Sequence, residues 1–179
     1  LMVVAISGIM AAAFIYNFSG SRATLTARRQ AATVLVSDIR RAQSMALSGT
    51  RSQDSVVCGY GVHYVDATRY IIYAAARAAC PNGDTPTPSY NYTAGTDRIV
   101  ETHTLTNSRL AVSGPISGAF HDIFFLPPKP KLYFNNNGAL AGVPASVVIY
   151  IVTAGEVCNA GANCTTVTVT RSGAINIGD

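Results

Sequence analysis

The side chains in this sequence with the capacity for chemistry are four cysteines (Cys58, Cys80, Cys158, Cys164) and three histidines (His63, His103, His121). A metal centre would need thiolate and imidazole ligands at short spacing, such as cysteines in a CxxC pair or histidines in HExxH. Neither pattern occurs, so no metal and no cofactor are expected. Ser, His and Asp are all present, yet no G-x-S-x-G elbow and no paired-carboxylate arrangement accompanies them, which argues against an enzyme. The remaining chemistry is disulfide formation. An even cysteine count in loop-rich β sequence fits two bridges formed outside the cytoplasm. Of the three pairings available, Cys58–Cys80 with Cys158–Cys164 is favoured, because "CNAGANC" is a short Gly/Asn/Ala loop between two strand-like runs. Three N-x-S/T patterns occur, at Asn17, Asn91 and Asn163. Only Asn91 lies in a stretch suited to be an acceptor.

Composition narrows the setting in which those residues work. Of 179 residues, 49% are hydrophobic and 12% charged, about half the usual charged share. That balance excludes disorder. The net charge of +4 comes largely from Arg22, Arg28, Arg29, Arg40, Arg41 and Arg51. A modest excess of this kind is common on exposed surfaces and is a weak signal for nucleic acid.

The first eighteen residues, "LMVVAISGIMAAAFIYNF", carry no charge. As a helix they would extend about 27 Å, slightly less than the ~30 Å apolar core of a bilayer. The chain opens without Met, and the expectation is that either residues upstream complete the span or the segment is not meant to remain in lipid. A cleaved leader would end at a small-residue site and release an unrelated domain. Here the helical pattern instead resumes beyond Ser19-Gly20-Ser21. Leu25, Ala32, Leu35, Val36, Ile39, Ala42 and Ala46 recur on one face, with Arg28, Arg29, Asp38, Arg40 and Arg41 mainly elsewhere. Gly49 is the expected C-cap, with Arg40 and Arg41 near the negative end of the dipole.

Beyond Gly49 the period changes from helical to alternating. "SVVCGYGVHYV" and "RYIIYAAA" predict a hairpin turning near Asp66-Ala67-Thr68. "PNGDTPTPSYNYTAGTD" (81–97) predicts a surface loop. "RIVETHTL", "RLAVSG", "DIFFL", "KLYFNNNG", "ASVVIYIVTAG", "TTVTVTRSG" and "AINIG" predict further short strands, mostly antiparallel. The expected fold is α+β. A long N-terminal helix over 1–49, apolar over 1–18 and amphipathic over 22–48, packs through Leu35, Ile39, Ala42 and Ala46 on an antiparallel β-sheet domain at 50–179.

These segments resemble the type IV pilins and type II secretion pseudopilins. "LMVVAISGIMAAAFIYNF" is similar to the apolar body of their N-terminal helix, with Gly8 on the glycine usual there. "VLVSDIRRAQSMALSG" followed by "CGYGVHYVDATRYIIYAA" resembles the H-type pseudopilin and minor-pilin branch, as do "IFFLPP" and the closing "VTVTRSGAINIG". Two features depart from the pattern. The family's mature Phe and Glu, with which prepilin processing and N-methylation are associated, do not precede Leu1 here, and Tyr16 stands where many pilins have proline. The resemblance implies a subunit of an extracellular helical filament, held in the inner membrane before assembly. Its partners are then copies of itself, other pilins and the inner-membrane assembly machinery. Leu1, Val4, Gly8, Ala11, Ala12, Phe14, Ile15 and Phe18 are the expected filament-core residues. Small side chains among them let backbones approach. The alternative is a minor pilin or secretion pseudopilin at a filament tip, binding DNA or a secreted substrate, with Arg171 as the ligand contact. A plain signal anchor on a monomeric periplasmic protein is the blander reading of the same helix.

Overall fold

The computed structural model describes residues 2–49, 57–76, 91–105, 110–113, 121–127, 131–135, 146–153, 158 and 164–178. Side chains before residue 24 are described at Ser7, Gly8 and Met10. The described residues form an α+β protein, with a helix α1 (Met2–Ser48) and strands β1 (Val57–Asp66), β2 (Arg69–Ala76), β3 (Arg98–Thr104), β4 (Leu110–Ser113), β5 (Asp122–Leu126), β6 (Lys131–Asn135), β7 (Ser146–Thr153), β8 (Cys164–Thr170) and β9 (Ile175–Gly178).

Between residues 21 and 48 the sequence holds neither Gly nor Pro and is rich in Ala, Leu, Arg and Met, all strong helix formers. Gly49 ends α1 with φ of 58°, and its N–H donates to the Ala46 carbonyl at 3.4 Å. That left-handed geometry is costly for any residue with a Cβ. The last turn holds no basic residue. Arg40 and Arg41 lie too early to act on the terminal carbonyls, and Arg41 pairs with Glu101 instead at 2.5 Å.

The strands form two antiparallel sheets rather than one. Sheet 1 has the order β3-β2-β1-β5-β6, and sheet 2 has the order β4-β7-β8-β9. β4 therefore leaves its sequence neighbours and pairs with β7, Leu110 opposite Thr153 through Ser113 opposite Tyr150. Alternation within a strand marks which side chains share a face. It carries no information about which strand lies alongside.

One core joins α1 to both sheets. Ala32, Leu35, Val36, Ile39, Ala42 and Ala46 of the helix meet Tyr60, Val62, Tyr70, Ile72, Ile123 and Phe125 of sheet 1 and Val147, Ile149, Ile151, Val167 and Val169 of sheet 2. Burying each large aliphatic side chain contributes about 1.5–3 kcal/mol relative to exposure. In β8 the alternation is clean, with Val167 and Val169 inward and Thr166 and Thr168 half-buried on the other face.

Sheet 1 is buried on both sides. Its second face carries Cys58, Tyr73, Ala75, Phe124 and Leu126, packed with Tyr92 and Tyr133. This explains why "YIIYAA" and "DIFFL" read as continuous apolar runs, the pattern of strands covered twice. Gly59 and Gly61 lie where that second face is most crowded. A Cβ on Gly61 would fall 2.6 Å from the Tyr73 ring, and one on Gly59 would fall 2.3 Å from the Phe125 carbonyl oxygen.

The expected helix face needs two corrections. Leu25 is exposed, because it precedes the turns that reach the sheets. Arg28 and Asp38 are buried although their charge suggested the solvent side. Of the 81–97 stretch, 81–90 lie outside the described residues. The 91–97 portion is partly packed: Tyr92 closes over sheet 1, and Asp97 is buried.

Candidate functional site

Three polar arrangements stand out against this apolar interior. The first joins α1 to β2 and the sheet 1 edge strand β3. Asp38 is buried on α1, and Tyr70 is buried on β2. The Tyr70 hydroxyl donates to Asp38 Oδ2 at 2.5 Å. His103 Nδ1 lies 3.3 Å from the same oxygen, and the imidazole stacks on the Tyr70 ring with centroids 5.2 Å apart and planes 8° from parallel. His103 Nε2 is 3.2 Å from Glu101 Oε1, though off the axis of a hydrogen bond. Glu101 then meets Arg41, one helical turn beyond Asp38. Burial, and then the hydrogen bond to Asp38, push the Tyr70 hydroxyl pKa far up, so it remains a protonated donor. The chain of contacts fixes the rotation of α1 over sheet 1.

The second arrangement holds residues 91–97 against sheet 1. Asp122, 3% exposed, accepts from the backbone N–H of Tyr92 at 3.1 Å and faces His63 Nδ1 at 3.0 Å. The His63 and Tyr92 rings are 4.8 Å apart, and Tyr92 meets Tyr73 edge-on at 5.4 Å. Thr93 N–H donates to Asp97 Oδ2 at 2.7 Å, while Asp97 N–H donates to the Thr93 carbonyl at 2.9 Å. A histidine oriented by a buried carboxylate is half of an acid–base dyad. Through the Tyr92 N–H and the His63–Tyr92 ring contact, the pair holds the start of the 91–97 segment against sheet 1.

The third arrangement is a groove of about 440 Å³ between α1 and β9. It is lined by Thr33, Val36, Ser37 and Arg40 of the helix and Ile175, Asn176 and Ile177 of the strand. Neither a motif nor a periodicity announces it, because helix and strand are separated by more than a hundred residues. The legible signal was limited to Thr33, Ser37 and Arg40 recurring at steps of four and three on the amphipathic part of the helix.

Leu35, Ile39, Ala42 and Ala46 are all within 1% of full burial between helix and sheets. Leu1 and the side chains of Val4, Ala11, Ala12, Phe14, Ile15 and Phe18 lie outside the described residues. Gly8 is exposed, with nothing within 4 Å of a Cβ placed there, and Met10 is 70% exposed. Arg171 is exposed in the β8–β9 turn. That turn is closed by Gly173 N–H to the Thr170 carbonyl and Thr170 N–H to the Ala174 carbonyl, each 2.9 Å. Cys158 and Cys164 are bonded across a Cα separation of 5.3 Å. Cys58 is also disulfide-bonded, and Cys80, its expected partner, lies outside the described residues.

Among the described residues, no group of three or more His, Cys, Asp or Glu is placed to hold a metal ion, and no helix is long and apolar enough to cross a membrane. Comparison with protein-family models, curated proteins and solved structures found no match.

Proposed function

We propose that this chain is a structural subunit of a type IV pilus-like helical filament. In this reading α1 is a long N-terminal helix with two roles. Its later turns carry the β head, and its charge-free first eighteen residues serve as inner-membrane anchor and then as filament core. The observation that carries the proposal is that charge-free run, "LMVVAISGIMAAAFIYNF", on the same helix whose turns from Ala31 to Ala46 are buried in the head.

The mechanism is physical. Lipid and a bundle of like helices are similarly apolar, so moving Leu1 to Phe18 from one to the other changes little hydrophobic energy per residue. Close packing then decides, and Gly8, Ala11, Ala12 and Ala13 permit short backbone separations. A head-to-tail contact that does not close into a ring propagates as a fibre. Methylation of the N-terminus and participation of other pilins and of the assembly machinery belong to the same proposal.

Electron microscopy of filaments sheared from the source cells, with mass spectrometry of their subunits, tests it. This chain as the dominant repeating protein establishes the filament role. Its presence in traces favours the minor or tip subunit. Intact cells that retain the chain only as a membrane-bound monomer overturn the proposal.

A further inference from the structure

The groove between α1 and β9 is lined by residues 33–40 and 175–177 and not by the charge-free residues 1–18. β9 is the edge of sheet 2, hydrogen-bonded to β8 from Thr166 opposite Gly178 to Val169 opposite Ile175. Its other side has no strand partner among the described residues, and Ile175, Asn176 and Ile177 line the groove. Exposed edges in soluble proteins are commonly blunted by brevity, charge, proline or a bulge, and of these β9 has brevity alone, at four residues. "INIG" contains neither charge nor proline, and its pairing with β8 runs without a register shift. The apolar lining is Val36, itself only 6% exposed, with Ile175 and Ile177 of the strand, of which Ile177 is 45% exposed.

The charge of the groove selects the occupant. Arg40 lines it and has no ion pair among the described residues, whereas its neighbour Arg41 is matched by Glu101. Arg171 adds a second cation in the turn that leads into β9, and that turn abuts α1, since a Cβ on Gly173 would lie 3.0 Å from Gln43 Nε2. The five carboxylates among the described residues are already engaged. Asp38 is held by Tyr70, Asp66 by Arg69, Asp97 by Thr93, Glu101 by Arg41 and Asp122 by His63. A second copy carries a net charge of +4 and is therefore a poor complement to a cationic groove.

We propose that this groove docks an extended acidic peptide segment of a different protein, which adds to sheet 2 as a strand alongside β9 and sets a carboxylate against Arg40. Main-chain hydrogen bonds supply affinity in such strand addition, and the alternate side chains supply selection. The acidic side chain reads Arg40, and the apolar positions rest on Val36 and Ile177.

The test measures binding of a fluorescein-labelled octapeptide of alternating Glu and Val to the full chain in detergent micelles, by fluorescence anisotropy. Controls are the Lys–Val analogue and the acidic peptide with an N-methylated backbone. The acidic peptide binds and both controls fail. Arg40→Glu weakens binding about tenfold or more, the scale of a lost charge-assisted contact. Arg69→Glu, a matched charge change on the β1–β2 hairpin of the other sheet, leaves it within twofold. Equal binding of the N-methylated or Lys–Val peptide overturns the proposal, as does equal weakening by Arg69→Glu. Self-association that Arg40→Glu abolishes, with no peptide binding, identifies a second copy as the occupant and also overturns it.

Discussion

At the scale of single residues, this protein uses its acids as internal ties. Asp66 is the clearest surface case. Its carboxylate accepts from Thr68 N–H at 2.8 Å, Thr68 Oγ1 at 2.9 Å and Arg69 Nε at 2.6 Å, closing the β1–β2 turn. The Thr68 backbone bond, and then the Arg69 hydrogen bond, lower its pKa from 3.8 to about 2. A lowered carboxyl pKa contributes stability that is complete above the unfolded value and is lost as pH falls through the folded one. The stability difference between the wild type and Asp66→Asn is therefore constant above about pH 4, and it shrinks towards zero as pH approaches about 2. Urea unfolding at stepped pH measures it, and a difference independent of pH throughout contradicts the assignment.

Asp38 poses the buried counterpart. Tyr70→Phe removes the donor at 2.5 Å and leaves a carboxylate oxygen with a weaker partner in His103. The expected cost is about 1–3 kcal/mol, the penalty for an unsatisfied buried acceptor. A shift in the urea midpoint at unchanged m-value reports it. No change in midpoint would mean that water or His103 replaces the bond in full.

At the scale of elements, the helix face and the crowded second face of sheet 1 carry the structure. Ile39 is fully buried at the centre of the helix–sheet contact, and Ile39→Ala is expected to cost about 2–5 kcal/mol through lost burial and the cavity left behind. Gly61→Ala acts in the opposite sense, by overpacking. Its new methyl group would meet the immobile Tyr73 ring at 2.6 Å, and a cost of about 1–3 kcal/mol follows as β1 shifts against β2. Equilibrium unfolding of each variant gives the magnitude, and near-ultraviolet circular dichroism tests whether the tyrosine cluster is disturbed. A neutral Gly61→Ala would show that sheet 1 yields more freely than its packing indicates.

At the scale of the whole molecule, head and helix tip are separable in their response to substitution. Gly8 is on the exposed part of α1, with open space around a Cβ in the single chain. On the proposed filament role, Gly8→Trp is expected to leave the head folded, with unchanged head stability, and to block polymerisation where a neighbouring helix would have to approach closely. Normal filaments from that variant, seen by negative-stain microscopy, would sink the packing account.

Much of the architecture was written in the sequence because it is local. Alternating or continuous apolar runs placed the nine strands of the described residues, Gly49 marked the end of the helix, and Leu35, Ile39, Ala42 and Ala46 share the face that the helical period assigned to them. The charge-free first eighteen residues are likewise a property of the sequence alone. What needed the tertiary structure is everything set by long-range pairing. β4 joins β7 rather than a sequence neighbour. Asp38 leaves the solvent face because Tyr70, 32 residues on, offers a hydroxyl. Tyr92 becomes a lid on sheet 1 because Asp122 captures its N–H. The α1–β9 groove exists only once a helix and the last strand are brought together. Local periodicity records which face of an element is apolar, but pairing energies between distant segments depend on which surfaces meet, and only the folded chain fixes that.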